Sequence, residues 1–271
     1  MGFSVLMSVY NKEKPENLIE AIESVINQTY ECTEFVLVKD GVLGKELEDV
    51  IRHYQIKLKN FNCYQFEQNV MLGNALHKGV ELCSNDIIAR MDTDDIAIEN
   101  RFEIQYKYLN EHPEVSVVGS FIEEFAGGEK LGVKEVPIRH EDIFQYSKTR
   151  NPINHMTVMF RKSHVVDSGN YKHFPYLEDY YLWCRMMEKG YTFHNIPIVL
   201  VKARTGKEMC RRRGGYTYFL AHKKLKGIQY KLKLINYFEY CKAVTGCFIF
   251  TMAPNFAREI LYRNVLRNRE K

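Results

Sequence analysis

Asp92-Thr93-Asp94-Asp95 follows directly on the apolar run Ile87-Ile88-Ala89 and precedes a helical pattern that begins near Ile98. A strand ending in two carboxylates one residue apart presents oxygen ligands beyond the carboxyl edge of a sheet, where open α/β sheets bind their ligands. Hard oxygens of this kind suit Mg²⁺ or Mn²⁺ carrying a substrate's phosphates. The plainer reading is a solvated acidic turn in which one aspartate, Asp95 for instance, caps the next helix. A second acidic pair, Glu178-Asp179, opens another helical run, where the helix dipole alone would favour acids. Asp40-Gly41 ends an apolar strand, so Asp40 either faces a cleft or serves a turn. Arg211-Arg212-Arg213-Gly214-Gly215 could clamp a diphosphate, because guanidinium groups match phosphate oxygens and glycines let the backbone approach; otherwise it is a solvated loop. His155 stands beside an apolar strand, either touching an acceptor or satisfied within the structure.

Alternating elements must position these groups. Ser4 to Val9 reads as a buried strand, and Pro15 to Gln28 as a helix with Leu18, Ile22, Val25 and Ile26 on one face. Phe35 to Val38 and Phe61 to Phe66 read as further strands, and Leu72 to Leu82 as a helix, before the strand that delivers the acids. This β-α-β-α-β order predicts an α/β protein with a mostly parallel, doubly wound sheet and right-handed crossovers. A helix from about Asn100 to Asn110, a strand over Ser116 to Phe125, a Gly127-Gly128 turn and a helix ending at Glu188 follow.

With 271 residues and 45% hydrophobic composition, the chain can bury a large core or two smaller ones. Its seven cysteines are odd in number and form no Cys-x-x-Cys pair, which argues against a disulfide framework and a zinc ribbon and predicts reduced, cytosolic thiols. The start lacks a basic region and cleavage site, so no secretory signal is expected. The longest apolar stretch, near Ala243 to Ala253, is too short to span a bilayer. The net charge of +4 conceals an asymmetry, since from Lys202 onward cations outnumber acids by roughly 13. From Tyr216 the basic residues interleave with aromatics in a helical pattern, which suits either an anionic membrane surface or ordinary packing of the tail on the catalytic domain. Nucleic acid is not expected as a partner, because no helix-turn-helix, RNP or zinc signature accompanies the charge.

Taken together, the chain from Phe3 to Gly215 resembles glycosyltransferase family 2, the inverting nucleotide-sugar enzymes of GT-A fold. Ser8-Val9-Tyr10-Asn11 is similar to the family's first-strand Pro-x-Tyr-Asn, with Ser8 in place of proline, and Asn27-Gln28-Thr29 to the end of its first helix. Val38-Lys39-Asp40-Gly41 resembles the second-strand end whose aspartate reads the uracil edge, Asp92-Thr93-Asp94 the DXD motif, and Glu178-Asp179 with Leu182-Trp183 the "ED" motif. His77 stands where members usually carry asparagine, and no Gln-x-x-Arg-Trp of processive synthases occurs, so one sugar per encounter is expected. Asn154 to Phe160 and Met209 to Gly215 look most like a bacterial subgroup that builds O-antigen or capsule repeat units on lipid diphosphate carriers.

The resemblance implies the following assignments. Asp179 acts as general base with Glu178 in support, Asp94 and Asp92 hold Mn²⁺ or Mg²⁺, and Ser8, Tyr10, Asn11, Asp40, Asp92, Arg211 and Arg212 contact a nucleotide-sugar, with UDP as the expected nucleotide. His155 is the candidate acceptor contact, the acceptor being a saccharide or lipid-linked saccharide. The division expected is a catalytic domain over 1–215, with halves 1–99 and 100–215, and a basic helical tail over 216–271. The expected setting is the cytoplasm, peripheral to the inner membrane face. A sugar-phosphate nucleotidyltransferase would use a similar sheet and metal, but should carry a Gly-rich first loop with Arg, which Tyr10-Asn11-Lys12-Glu13 is not. A non-catalytic nucleotide-sugar or nucleic-acid binding module is the remaining alternative, and retention of both Asp94 and Asp179 argues against it.

Overall fold

A computed structural model of the protein describes residues 2–205 and 214–254. A nine-stranded sheet runs through it in the order β3-β2-β1-β4-β8-β6-β9-β5, with β7 (Glu129–Lys134) paired to β6. Four strands are mutually parallel: β1 (Ser4–Val9), β2 (Glu34–Lys39), β3 (Phe61–Gln65) and β4 (Ile87–Asp92). The short β8 (Met159–Arg161) runs antiparallel between β4 and β6 (Val115–Ala126). Long β6 lies parallel to β9 (Thr192–Arg204), which pairs antiparallel with β5 (Ile96–Ala97). Positive φ at both Gly127 and Gly128 makes the tight β6–β7 turn, a conformation in which L side chains are strained.

The sheet has an apolar layer on each face, and the alternation of side chains along a strand assigns residues between them. In β4, Ala89 and Met91 join the layer formed with α1 (Pro15–Ile26) and α4 (Arg101–Glu111), whereas Ile88 joins the layer of α3 (Leu72–Leu82) and α7 (Glu178–Glu188). Arg90 and Asp92, in step with Ile88, therefore point to the α7 side.

The α2 helix (Lys45–Lys57) was not expected, because charge dilutes its pattern; Leu47, Ile51 and Tyr54 nonetheless recur at helical spacing and are buried. Two shorter helices, α5 (His140–Ser147) and α6 (Lys162–Asp167), bracket β8 in sequence. The chain then forms α8 (Tyr216–Lys231) and α9 (Tyr237–Met252). The α8 helix packs on the core, as one of the two expected alternatives for the tail: Ala221 and Leu225 enter the α3–α7 layer, and Lys226 is 1% exposed. The α9 helix leans on it through Phe219 and Phe248, whose rings are 5.2 Å apart. A capping box at Asn236 and Glu239 fixes its start. No helix among the described residues is long and apolar enough to cross a membrane.

Candidate active site

Strands β1, β2 and β4 end at one edge, which brings Ser8 into register with Asp92 and Asp40 beside Val9. There the carboxylate oxygens of Asp92, Asp94 and Asp95 lie within 4.8 Å of one another. Burial first, then the charges of Asp92 and Glu13, push the Asp94 carboxyl up to about 7. Asp95 is raised well above its ordinary range, by burial and then by its two acidic neighbours. Such mutual repulsion is what a hard divalent cation would relieve, so the donor set fits Mg²⁺ or Mn²⁺.

Asp95 does not cap the following helix. Its Oδ1 accepts from the Arg204 backbone N–H at 2.8 Å, tying the acidic turn to the end of β9, and Asn100 precedes α4 without a side-chain cap. Asp94 makes no ion pair among the described residues, whereas both oxygens of Asp92 are taken by Arg90.

Two buried arginines beneath the acids were missed in the sequence. Arg90 is 1% exposed; its Nη1 donates to Asp92 Oδ2 at 2.7 Å and its Nη2 to Oδ1, while Nε is buried with no partner. Arg101 donates to Gln105 Oε1 at 2.9 Å and to the Arg90 carbonyl at 2.7 Å, and burial, then Arg90's charge, lower its pKa to about 9. The available signal, for Arg90, was an arginine between the apolar run Ile87-Ile88-Ala89 and Met91, two residues before the first aspartate. A charge at such a position is rarely buried unpaired.

The second acidic pair lies within reach of the same charges, since both Arg90 and Asp92 act electrostatically on Glu178. Asp179 is 8% exposed; its Oδ2 accepts from Asn151 Nδ2 at 2.6 Å and its Oδ1 from the Tyr180 N–H at 2.7 Å. Burial raises its pKa, and these two bonds work against that rise. Glu178 is pushed up to about 7, by burial and then by the charge of Asp179. The start of α3 approaches closely here: a Cβ on Gly73 would lie 2.8 Å from the Lys172 carbonyl oxygen and 3.2 Å from Glu178 Cβ. Met71 and Tyr176, which precede α3 and α7, both adopt positive φ, a strained conformation that concentrates at functional sites.

Several predicted residues hold structure around this cleft. Asp40, 6% exposed, accepts from Val70 N at 2.6 Å and Asn69 Nδ2 at 3.0 Å, so its carboxylate fastens the loop before α3. Asn11 Oδ1 accepts from the Gly44 N–H at 2.8 Å. Tyr10 is 41% exposed at the end of β1, with Ser8 half-buried behind it. The Nε2 atom of His155 pairs with the Tyr171 hydroxyl at 2.9 Å, and burial, then Arg90, hold its pKa well below the usual range, which matches a satisfied structural histidine. His77 pairs through Nδ1 with the Tyr171 carbonyl at 2.8 Å, linking α3 to the segment before α7. Arg211 and Arg212 lie outside the described residues.

The curled, largely parallel sheet with helices on both faces has the GT-A fold of its structural neighbours. The chain belongs to glycosyl transferase family 2, whose profile matches residues 4–166. It is 43% identical over 232 residues to the amylovoran biosynthesis glycosyltransferase AmsE of Erwinia amylovora, covering 86% of this chain and 85% of that one. It is 34% identical over 267 residues to the UDP-Gal:alpha-D-GlcNAc-diphosphoundecaprenol beta-1,3-galactosyltransferase of Escherichia coli, covering 98% and 96%. The S. aureus TarS 1-349 structure in complex with UDP-GlcNAc shares the fold at a TM-score of 0.68 and 16% identity, over 97% of this chain and 75% of that one. The protein is a glycosyltransferase.

Proposed function

We propose that this glycosyltransferase moves one hexose from a UDP-sugar, with inversion, to a lipid-diphosphate-linked saccharide during assembly of a bacterial surface polysaccharide. The relatives' names motivate the pathway and the acceptor class. A divalent ion held by Asp94, with Asp92 kept beside it by Arg90, would neutralise charge on the departing diphosphate. Asp179 takes the proton of the attacking hydroxyl.

The observation that carries this assignment is the pair of hydrogen bonds donated to Asp179 by Asn151 and the Tyr180 N–H. Donated bonds favour the ionised carboxylate, and its charge contributes to pushing Glu178 up to about 7. Of two adjacent acids, the one whose ionised form receives donated hydrogen bonds is the better placed to act as base. Asp40, Tyr10 and Asn11 line the nucleotide end of the cleft. Release of UDP from a panel of UDP-sugars, with and without a GlcNAc-diphospho-lipid acceptor and with Mn²⁺ or chelator, tests the reading; UDP formation indifferent to both acceptor and metal would sink it.

The α8–α9 hairpin serves as the membrane contact in this reading, at the cytoplasmic face where lipid-linked acceptors are held. Phe238 is 77%, Tyr237 67% and Ile249 66% exposed. Exposed Lys223, Lys224, Lys231, Lys233 and Lys242 share those helices and their connecting turn. Apolar side chains beside cations suit an anionic interface.

A further inference from the structure

We propose that Arg90 is a positioning residue that saturates Asp92 in the resting site, so that Asp94 is the one aspartate left free for a divalent ion until a nucleotide diphosphate arrives. The inference rests on the metal-dependent reading above.

Each of the three aspartates is committed differently. Both Asp92 oxygens are paired with the Arg90 fork. Asp95 is 2% exposed and occupied by the Arg204 N–H. Asp94 alone of the three has no ion pair and no hydrogen bond to its carboxylate beyond that of its own backbone N–H among the described residues. A site with one uncommitted carboxylate binds Mg²⁺ or Mn²⁺ poorly by itself, because these ions are normally held by one or two carboxylates together with substrate phosphates.

Arg90 itself is not an ordinary structural cation. It stands on the α7 side of β4, is 1% exposed, and keeps a buried Nε without a partner, an arrangement that costs stability. Its charge acts on Asp94 and Asp95 as well as on Glu178 and Asp179. One buried cation thus faces both acidic pairs and offsets the repulsion that would otherwise draw a free metal ion to them. When a diphosphate supplies further oxygens, the ion can be held without Asp92 leaving its guanidinium.

The test is calorimetric titration of the protein with MnCl₂ alone, and again with UDP present. Wild type is expected to bind Mn²⁺ weakly alone and much more tightly with UDP. Arg90→Met removes the counter-charge and frees Asp92, so Mn²⁺ alone should bind on the order of tenfold tighter, and the gain from UDP should shrink. Arg90→Lys keeps the charge while losing the fork, and should return the affinity toward wild type. Should the methionine variant fail to fold, as judged by circular dichroism, Arg90→Gln carries the same expectation. A folded neutral variant that binds Mn²⁺ no tighter than wild type overturns the inference while leaving the metal reading intact. Wild type that takes up no Mn²⁺ even with UDP removes both.

Discussion

Asn151 donates to Asp179 Oδ2 at 2.6 Å across 28 positions of sequence, joining the loop after α5 to the first turn of α7. The bond stabilises the carboxylate in its charged form and fixes its rotamer, which are the two things a general base requires. Asp179→Asn is therefore predicted to leave UDP-sugar binding near wild type and to lower kcat by roughly 10² or more, since general-base assistance is worth about 10²–10⁴. Glu178→Gln should cost less. Single-turnover kinetics with saturating donor decide the matter; a near-normal rate for the asparagine variant would move the base to Glu178.

Asp94 supplies a prediction in stability as well as binding. A carboxylate raised from 3.8 to about 7 holds its proton more tightly in the folded protein than in the unfolded chain. Its contribution to stability is thus most favourable below the unfolded value and is lost as pH climbs toward the folded one. Asp94→Asn, which cannot ionise, should melt higher than metal-free wild type at pH 8 by a few degrees and differ little at pH 4. The same variant should lose the Mn²⁺-dependent part of UDP binding. Equal melting curves at both pH values, or wild-type UDP affinity in Mn²⁺, would contradict the assignment.

Gly73 allows α3 to approach the segment before α7. Placing a Cβ 2.8 Å from the Lys172 carbonyl oxygen forces two pieces of backbone apart. Gly73→Ala should cost about 1–3 kcal/mol of stability by overpacking and should disturb Glu178, which that Cβ would also touch. Urea unfolding measures the first effect and kcat the second; an alanine variant with unchanged midpoint and rate would show that the contact relaxes freely.

The membrane reading needs point substitutions rather than truncation, because removing α8 would take Leu225 and Lys226 out of the core and uncover Tyr180 and Cys184 of α7. Wild type is predicted to float with phosphatidylglycerol vesicles at low salt, to ignore neutral ones, and to be released as the Debye length falls from about 10 Å at 0.1 M to about 3 Å at 1 M. Phe238→Ser with Ile249→Ser should weaken flotation while sparing turnover on a water-soluble acceptor. Unchanged flotation in that variant would assign the exposed face of α9 another role.

Much of this was legible in the sequence because it was local. The strands β1, β2 and β4 are short apolar runs ending in polar punctuation, and Asp92, Asp94, Glu178 and Asp179 stand out as acidic clusters at a strand end and a helix start, with their roles implied only by the family resemblance. What escaped was non-local or diluted. Arg90 looks like a blemish in a strand until the fold turns its fork onto Asp92. Asn151 gains meaning only beside α7. The α2 helix hides its Leu47, Ile51 and Tyr54 stripe among charges, and the basic composition after Tyr216 concealed how deeply α8 is packed into the core. Asp95 was read as a cap because capping is a local rule, whereas its partner, Arg204, lies 109 residues away.

The central claim, metal-dependent transfer with inversion at a site built from Asp94 and Asp179, is tested most directly by the stereochemistry of the product. An α-configured UDP-hexose and a GlcNAc-diphospho-lipid analogue are incubated with the protein in Mn²⁺, and the new anomeric linkage is read by NMR. A β-linked product that vanishes on chelation and in Asp94→Asn is the predicted result. An α-linked product, or transfer that persists in excess chelator, would contradict it.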